Sequence, residues 1–333
     1  MRALAALAAM LAAGPALAND STAELDNNGL RLLQEPDIAM TSEDLSISAT
    51  AVHVEYEFVN RGAAAKTVTI AFPMPDVTGG IDENVGLPDP DAANPFRFRV
   101  AADGVEIRPK LDARAFVGAA EVTEKLASVH VPLMPFAKGA GETLDRLPQA
   151  TKDAFVKAGI AAIDEYSTRA DGVMEKHLAP TWTWRAAYVW TQTFPAGAPV
   201  RVVQDYAPSV GGTAGTSVGS PGWRAQDYMR DYPAKYCIDA AFEAAVKRAT
   251  AAAHAEFAPF RETRINYVLK TGANWAGPIG AFRLTVDKGE PQNLVSFCAN
   301  GVAKIGPTLF ETRRSDFRPT TDLHILILQP AKN

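Results

Sequence analysis

Residues 52–59 read VHVEYEFV, with Val52, Val54, Tyr56 and Phe58 on one face and His53, Glu55 and Glu57 on the other. Alternation with a period of two predicts a half-buried antiparallel strand. The polar, glycine-containing turn NRGAAAK leads into KTVTIAF, where Val68, Ile70 and Phe72 continue the pattern, so the pair predicts a hairpin. Pro73 and Pro75 end it, because proline donates nothing to a sheet ladder. A long loop, PDVTGGIDENVGLPDPDAANP, separates this hairpin from a further strand at FRFRV.

Residues 112–178 change period. AEVTEKLASVHV and GETLDRLPQATKDAFVKAGIAAIDEY carry apolar residues three and four apart, which predicts short helices broken at Pro132, Pro135 and Pro148. Alternation returns in TWTWRAAYVWTQTF (181–194), whose even positions include Trp182, Trp184, Tyr188, Trp190 and Phe194. This stretch predicts the first strand of a second hairpin, returning through PAGAP into VRVVQDY. Its even face is expected in the core, where aromatic rings bury the most area. A helix is expected over about 238–255, followed by strands in RINYVLK, AFRLTVDKG, NLVSFC and DLHILIL. A faint echo links FPMPDVTGG with YAPSVGG. It reads either as two related β lobes or as the chance likeness of two hairpins.

The fold class expected is α+β, mainly β, with antiparallel β-sandwich-like lobes and helical insertions. The domain reading is a signal peptide at 1–18, an N-terminal β lobe at 19–111, a helical insertion at 112–180, and a C-terminal β-rich lobe at 181–330. The signal peptide rests on MRALAALAAMLAAGPALA: one positive residue, a short Ala/Leu run, then small residues ahead of a cleavage point before Asn19. It implies a periplasmic or secreted location and no transmembrane segment after cleavage, since LHILIL is too short to span a bilayer. A net charge of −5 without a basic stripe argues against a nucleic-acid partner.

The two cysteines, Cys237 and Cys298, most simply form one disulfide in an exported chain. A catalytic thiol or metal pair is the alternative. The five histidines, His53, His130, His177, His254 and His324, include no pair four residues apart, and neither HExxH nor GxSxG occurs. Asp76, Asp82, Glu83, Asp89 and Asp91 offer oxygen ligands for calcium, but without the EF-hand spacing. No cofactor and no catalytic residue is assigned. The candidate ligand-binding residues are Trp182, beside Pro180 at a strand end, Trp223 in SPGW and Trp275 in TGANWAGPIG. Each loop indole either stacks on a flat ligand or folds back as the loop's apolar anchor.

Several segments together resemble a secreted bacterial family known as domain of unknown function 4424. They are NDSTAEL, DIAMTSEDLSIS, VEYEFVN with FPMPD, QDYAPSVGG, YCIDAAF and YVLKTGANWAGPIGAFRLTVDKGEPQNLVSFC. The resemblance implies an exported protein, largely one module, and transfers no catalytic residue. The expected function is an exported soluble binding or assembly module of the envelope, with an envelope protein or a glycan as partner. The alternative is a hydrolase of envelope or extracellular polymers, whose carboxylates would have to converge in space.

Overall fold

The alternating stretches form strands where expected, at Val52–Asn60, Lys66–Pro73, Thr183–Phe194 and Pro199–Tyr206. They do not pair as two hairpins. In the computed structural model, which describes residues 20–26, 29–168, 171–255 and 257–331, Val52–Asn60 pairs with Pro199–Tyr206 in an eight-stranded sheet. Lys66–Pro73 pairs with Thr183–Phe194 in a seven-stranded sheet. Each short turn therefore crosses from one sheet to the other. The expected signal peptide, 1–18, lies outside the described residues.

Asn60 makes the crossing possible. Its side chain, fully buried, donates from Nδ2 to Ala64 O and to Phe194 O at 2.9 Å each, and Oδ1 accepts from Gly62 N at 2.9 Å. Its own carbonyl accepts from Gly197 N at 2.8 Å. One asparagine thus satisfies backbone groups of both arches that a hairpin ladder would otherwise have paired. The sequence echo is a pair of arches running in opposite senses between the same two sheets.

The two β blocks of the sequence share their sheets. Ile38–Ile47 pairs in parallel with Ile279–Asp287, and Lys110–Val117 pairs antiparallel with Thr183–Phe194. Strands from the ranges 19–111 and 181–330 therefore lie side by side in common sheets. The parallel contact has a local cost at Thr41, where the register shifts between Met40 and Ser42. Opposite it stands Gly280, where a Cβ would lie 2.6 Å from Thr41 O, so only glycine fits.

A five-stranded sheet packs on the same main core. Its strand Leu323–Pro330 is buried on both faces: Ile325 and Ile327 join the main core, and Leu326 and Leu328 join a second core under helix Ala240–Ala252. Burial on both sides explains why LHILIL is continuously apolar. The helix starts at Asp239, whose carboxylate accepts from Phe242 N at 2.7 Å, a side-chain N-cap. Among the described residues no helix is long and apolar enough to cross a membrane.

The insertion 112–180 is less helical than its pattern suggests. Helices Thr123–Ala127, Ala140–Asp145 and Gln149–Lys157 form, but GIAAIDEY does not continue the last of them. Gly159 adopts φ of 68° and Ile160 N donates back to Phe155 O at 2.9 Å, closing the helix. Ala161–Tyr166 then pairs with Glu175–Pro180 as a two-stranded ribbon.

His324 gives this fold an acid sensitivity. Its Nδ1 lies 2.8 Å from Asn266 Oδ1, and burial, with Lys235 nearby, pushes its pKa from the ordinary 6.5 down to about 4. The folded state then binds fewer protons than the unfolded one between these values. The contribution is fully present above pH 6.5 and disappears as pH falls through 4, amounting to about 3 kcal/mol. The urea midpoint should fall across that window in the parent protein and stay flatter in His324→Gln. An equal fall in both would assign the sensitivity to another group.

Candidate functional site

At one end of the stack, the eight-stranded sheet and the strand beginning at Leu323 separate to leave a cleft of about 270 Å³. Its floor is aromatic: Phe282 and Phe317 stack with centroids 4.5 Å apart. Phe317 follows Asp316, a non-glycine residue held at φ of 51°, an uncommon backbone state found where a strand must re-aim its end. On the adjacent strand, Thr312 pairs with Leu284 and Arg314 with Phe282, so both point to the inner face of the sheet. Arg314 is exposed at the cleft rim and forms no ion pair among the described residues. Thr312 Oγ1 donates to Asn300 O at 2.7 Å, fixing the loop that follows Cys298.

One carboxyl, Asp322, lines the same cleft. Burial raises its pKa, opposed by the backbone N–H groups of Lys270 and Leu269, the former donating at 3.3 Å. The disulfide Cys237–Cys298 forms a wall, with sulfurs bonded across a sequence separation of 61. The site thus combines an apolar floor, one free cation and one partly buried acid. Among the described residues the lining includes no histidine and no second carboxyl. Two His–carboxylate pairs do occur elsewhere: His53 Nδ1 with Asp205 Oδ1, 2.8 Å apart on an exposed strand face, and His177 Nδ1 with Asp145 Oδ2, also 2.8 Å apart, whose imidazole is stacked on Tyr166 at 4.1 Å.

The three tryptophans expected at a ligand surface are all in cores. Trp182 has no exposed surface, and its Nε1 donates to Leu133 O at 2.6 Å within the cluster covered by the insertion. Trp223 packs in the core under the long helix, with Arg224 against its ring. Trp275 lies 4.6 Å from Phe58, and its Nε1 donates to Asp20 O at 2.6 Å. None presents a ring face for stacking. The loop indoles act as apolar anchors, and Trp182 stays inside because Leu126, Phe155 and Leu178 of the insertion close over it.

The acidic loop residues are likewise dispersed. Asp76 accepts from Arg185 Nε at 3.1 Å and Asp91 from Lys138 N at 2.6 Å. Among the described residues no group of three or more His, Cys, Asp or Glu side chains is placed to hold a metal ion.

A second polar feature lies inside the sandwich. On three adjacent strands the inward positions read apolar except at Glu43, 1 % exposed, Gln204, fully buried, and Asn60 at the strand end. Glu43 sits opposite Tyr56, and Gln204 opposite Val54, so the two flank one strand diagonally. Gln204 Nε2 donates to Asp20 Oδ1 at 2.7 Å, and Tyr56 Oη lies 3.2 Å from Tyr267 Oη. Burial pushes the Asp20 carboxyl up to about 8, opposed by the Gln204 hydrogen bond. The signal was legible in sequence as polar residues at inward parity, in TSEDLSI and VRVVQDY, and so was Arg314 in LFETRRSDF.

Taken together, these strands and clefts define a mainly antiparallel β-sandwich protein with one cystine and short helical covers. The chain belongs to the family described as "Domain of unknown function (DUF4424)", which matches residues 18–326. No curated protein matches it significantly. Among solved structures it is similar to a "putative nutrient binding protein" from Legionella pneumophila. The two share 16 % identity, with 94 % of this chain and 70 % of that chain covered and a TM-score of 0.43. It is also similar to an M1 zinc metallopeptidase from Deinococcus radiodurans, at 8 % identity and a TM-score of 0.24, spanning 43 % of that chain.

Proposed function

We propose that the protein is exported, loses residues 1–18, and acts as a binding module for a small ligand with an apolar body and an anionic end. The observation that carries this reading is Arg314, an exposed cation at inward parity, without an ion pair among the described residues, in the cleft that the stacked rings of Phe282 and Phe317 also line. A guanidinium at the mouth of an apolar cleft recognises carboxylate or phosphate through paired donors, while the rings take the apolar part. The cleft volume is at the small end of ligand sites, so the ligand is compact. Either a free metabolite or the terminal group of an envelope protein or glycan presents that chemistry.

Thermal-shift titration of the processed protein with a panel of aromatic and aliphatic carboxylates and phosphates tests this. At least one class should raise the melting temperature, and Arg314→Gln should weaken its affinity about tenfold or more while leaving the unliganded melt unchanged. A panel without any shift, or an unchanged affinity in Arg314→Gln, would remove the cleft from consideration.

A further inference from the structure

The cleft carries a second charge besides Arg314. Asp322, half-buried, lines the same space, and among the described residues neither group forms an ion pair, with the other or with a third side chain. The two stand on different sheets. Arg314 belongs to strand Leu309–Phe317 of the eight-stranded sheet, and Asp322 directly precedes Leu323–Pro330 of the five-stranded one. The short connection 318–322 therefore passes from sheet to sheet and leaves opposite charges on two walls of one small cleft.

The acid is fixed in position. Arg318 Nη1 donates to Ala273 O at 3.4 Å, which ties the connection to the turn Lys270–Asn274. From the start of that turn the backbone N–H groups of Lys270, at 3.3 Å, and of Leu269 donate to the Asp322 carboxyl. A carboxylate has about four acceptor positions, so two backbone donors leave about two of them open. Burial raises the Asp322 pKa, opposed by those N–H groups and by the charge of Lys270, whose side chain is not part of the lining. A half-buried acid in apolar surroundings ordinarily takes a cation as partner. Here the position that a cation would fill faces the cleft.

A ligand with a carboxylate alone would meet Arg314 but be repelled by Asp322, and an ammonium alone would meet Asp322 but be repelled by Arg314. Only a ligand bearing both charges satisfies both walls. Resting on the reading that the cleft binds a compact anionic ligand, we propose that the ligand is a zwitterion, with its carboxylate on Arg314, its ammonium on Asp322 and its apolar part against Phe282 and Phe317. That is the chemistry of a free apolar amino acid or of a short peptide with both ends free, and the small volume favours the single amino acid.

The test is calorimetric titration of the purified protein with matched sets that share one apolar body: phenylalanine and leucine, their deaminated acids and their N-acetyl forms. The free amino acids should bind at least about tenfold tighter than either uncharged-nitrogen counterpart. This comparison uses the parent protein and does not require any variant to fold. Asp322→Asn keeps an acceptor oxygen for the backbone N–H groups while removing the charge. It should abolish the advantage of the amino acid and leave the affinity for the deaminated acid equal or higher. Dipeptides of the same residues form a further arm, and tighter binding by them would support the zwitterion while assigning its source to peptides. Deaminated or acetylated acids that bind as tightly as the amino acids would overturn the inference and leave the anion site standing. An advantage that survives in Asp322→Asn would overturn it as well. No binding by any member of the sets would end the inference together with the reading of the cleft.

Discussion

Trp182→Ala should destabilise the protein by about 4 kcal/mol, the range for emptying a fully packed aromatic site. The indole is completely enclosed by Leu126, Phe155, Leu178 and their neighbours, and its N–H is spent on Leu133 O. The substitution therefore opens a cavity and removes the donor to a partly buried carbonyl together. Trp190 makes an informative contrast, because its Nε1 is buried with no hydrogen-bond partner among the described residues. Trp182→Phe loses a hydrogen bond that Trp190→Phe does not have to lose, and should cost about 1–3 kcal/mol more. Chemical denaturation of the three variants decides the matter. Equal midpoints for the two phenylalanine variants would mean that the Leu133 contact contributes nothing.

Reduction of Cys237–Cys298 should have an effect of similar size. The bond closes a separation of 61 residues, which in the chain-entropy picture stabilises the fold by about 4 kcal/mol. For a chain of this length that corresponds to a fall of about 6 °C in melting temperature. The consequence is also local. Cys237 ends helix Tyr232–Tyr236 in the left-handed conformation at φ of 50°, and Cys298 follows strand Leu294–Phe297 at the cleft wall. Reductant should therefore weaken any ligand bound near Arg314 as well as lower the melt. An unchanged melt after complete reduction, checked by thiol counting, would contradict the stabilising role.

The strands were readable because their side chains alternate, and the long helix because Asp239 and the spacing of Phe242 and Val246 announce it. Strand partnership was not readable. A five-residue turn between two alternating stretches looks the same whether the strands lie in one sheet or two, and the difference resides in the buried side chain of Asn60. The cystine was inferable from the expected compartment and from the number of cysteines. The cleft was not, since it needs Phe282, Arg314 and Asp322 from three parts of the chain. The aromatic face of 181–194 is core from end to end, apart from half-buried Gln192, and its first residue belongs to a different core from the rest. Glu43 and Gln204 show how such sites can be found: they break an apolar parity that every neighbouring inward position keeps.

The parallel pairing of Ile38–Ile47 with Ile279–Asp287 also sets a timetable for folding. A chain emerging N-terminus first cannot give Ile38–Ile47 its second neighbour until residue 279 has arrived. Until then an apolar strand with one open edge must wait, and such edges recruit other chains. Any product truncated before residue 279 lacks the partner of a central strand, so it should be prone to aggregate and quickly degraded. Pairing between ends so distant in sequence is slow to form, which suits the proposed export, where the chain would cross a membrane unfolded and close its sandwich only when nearly all of it has come through.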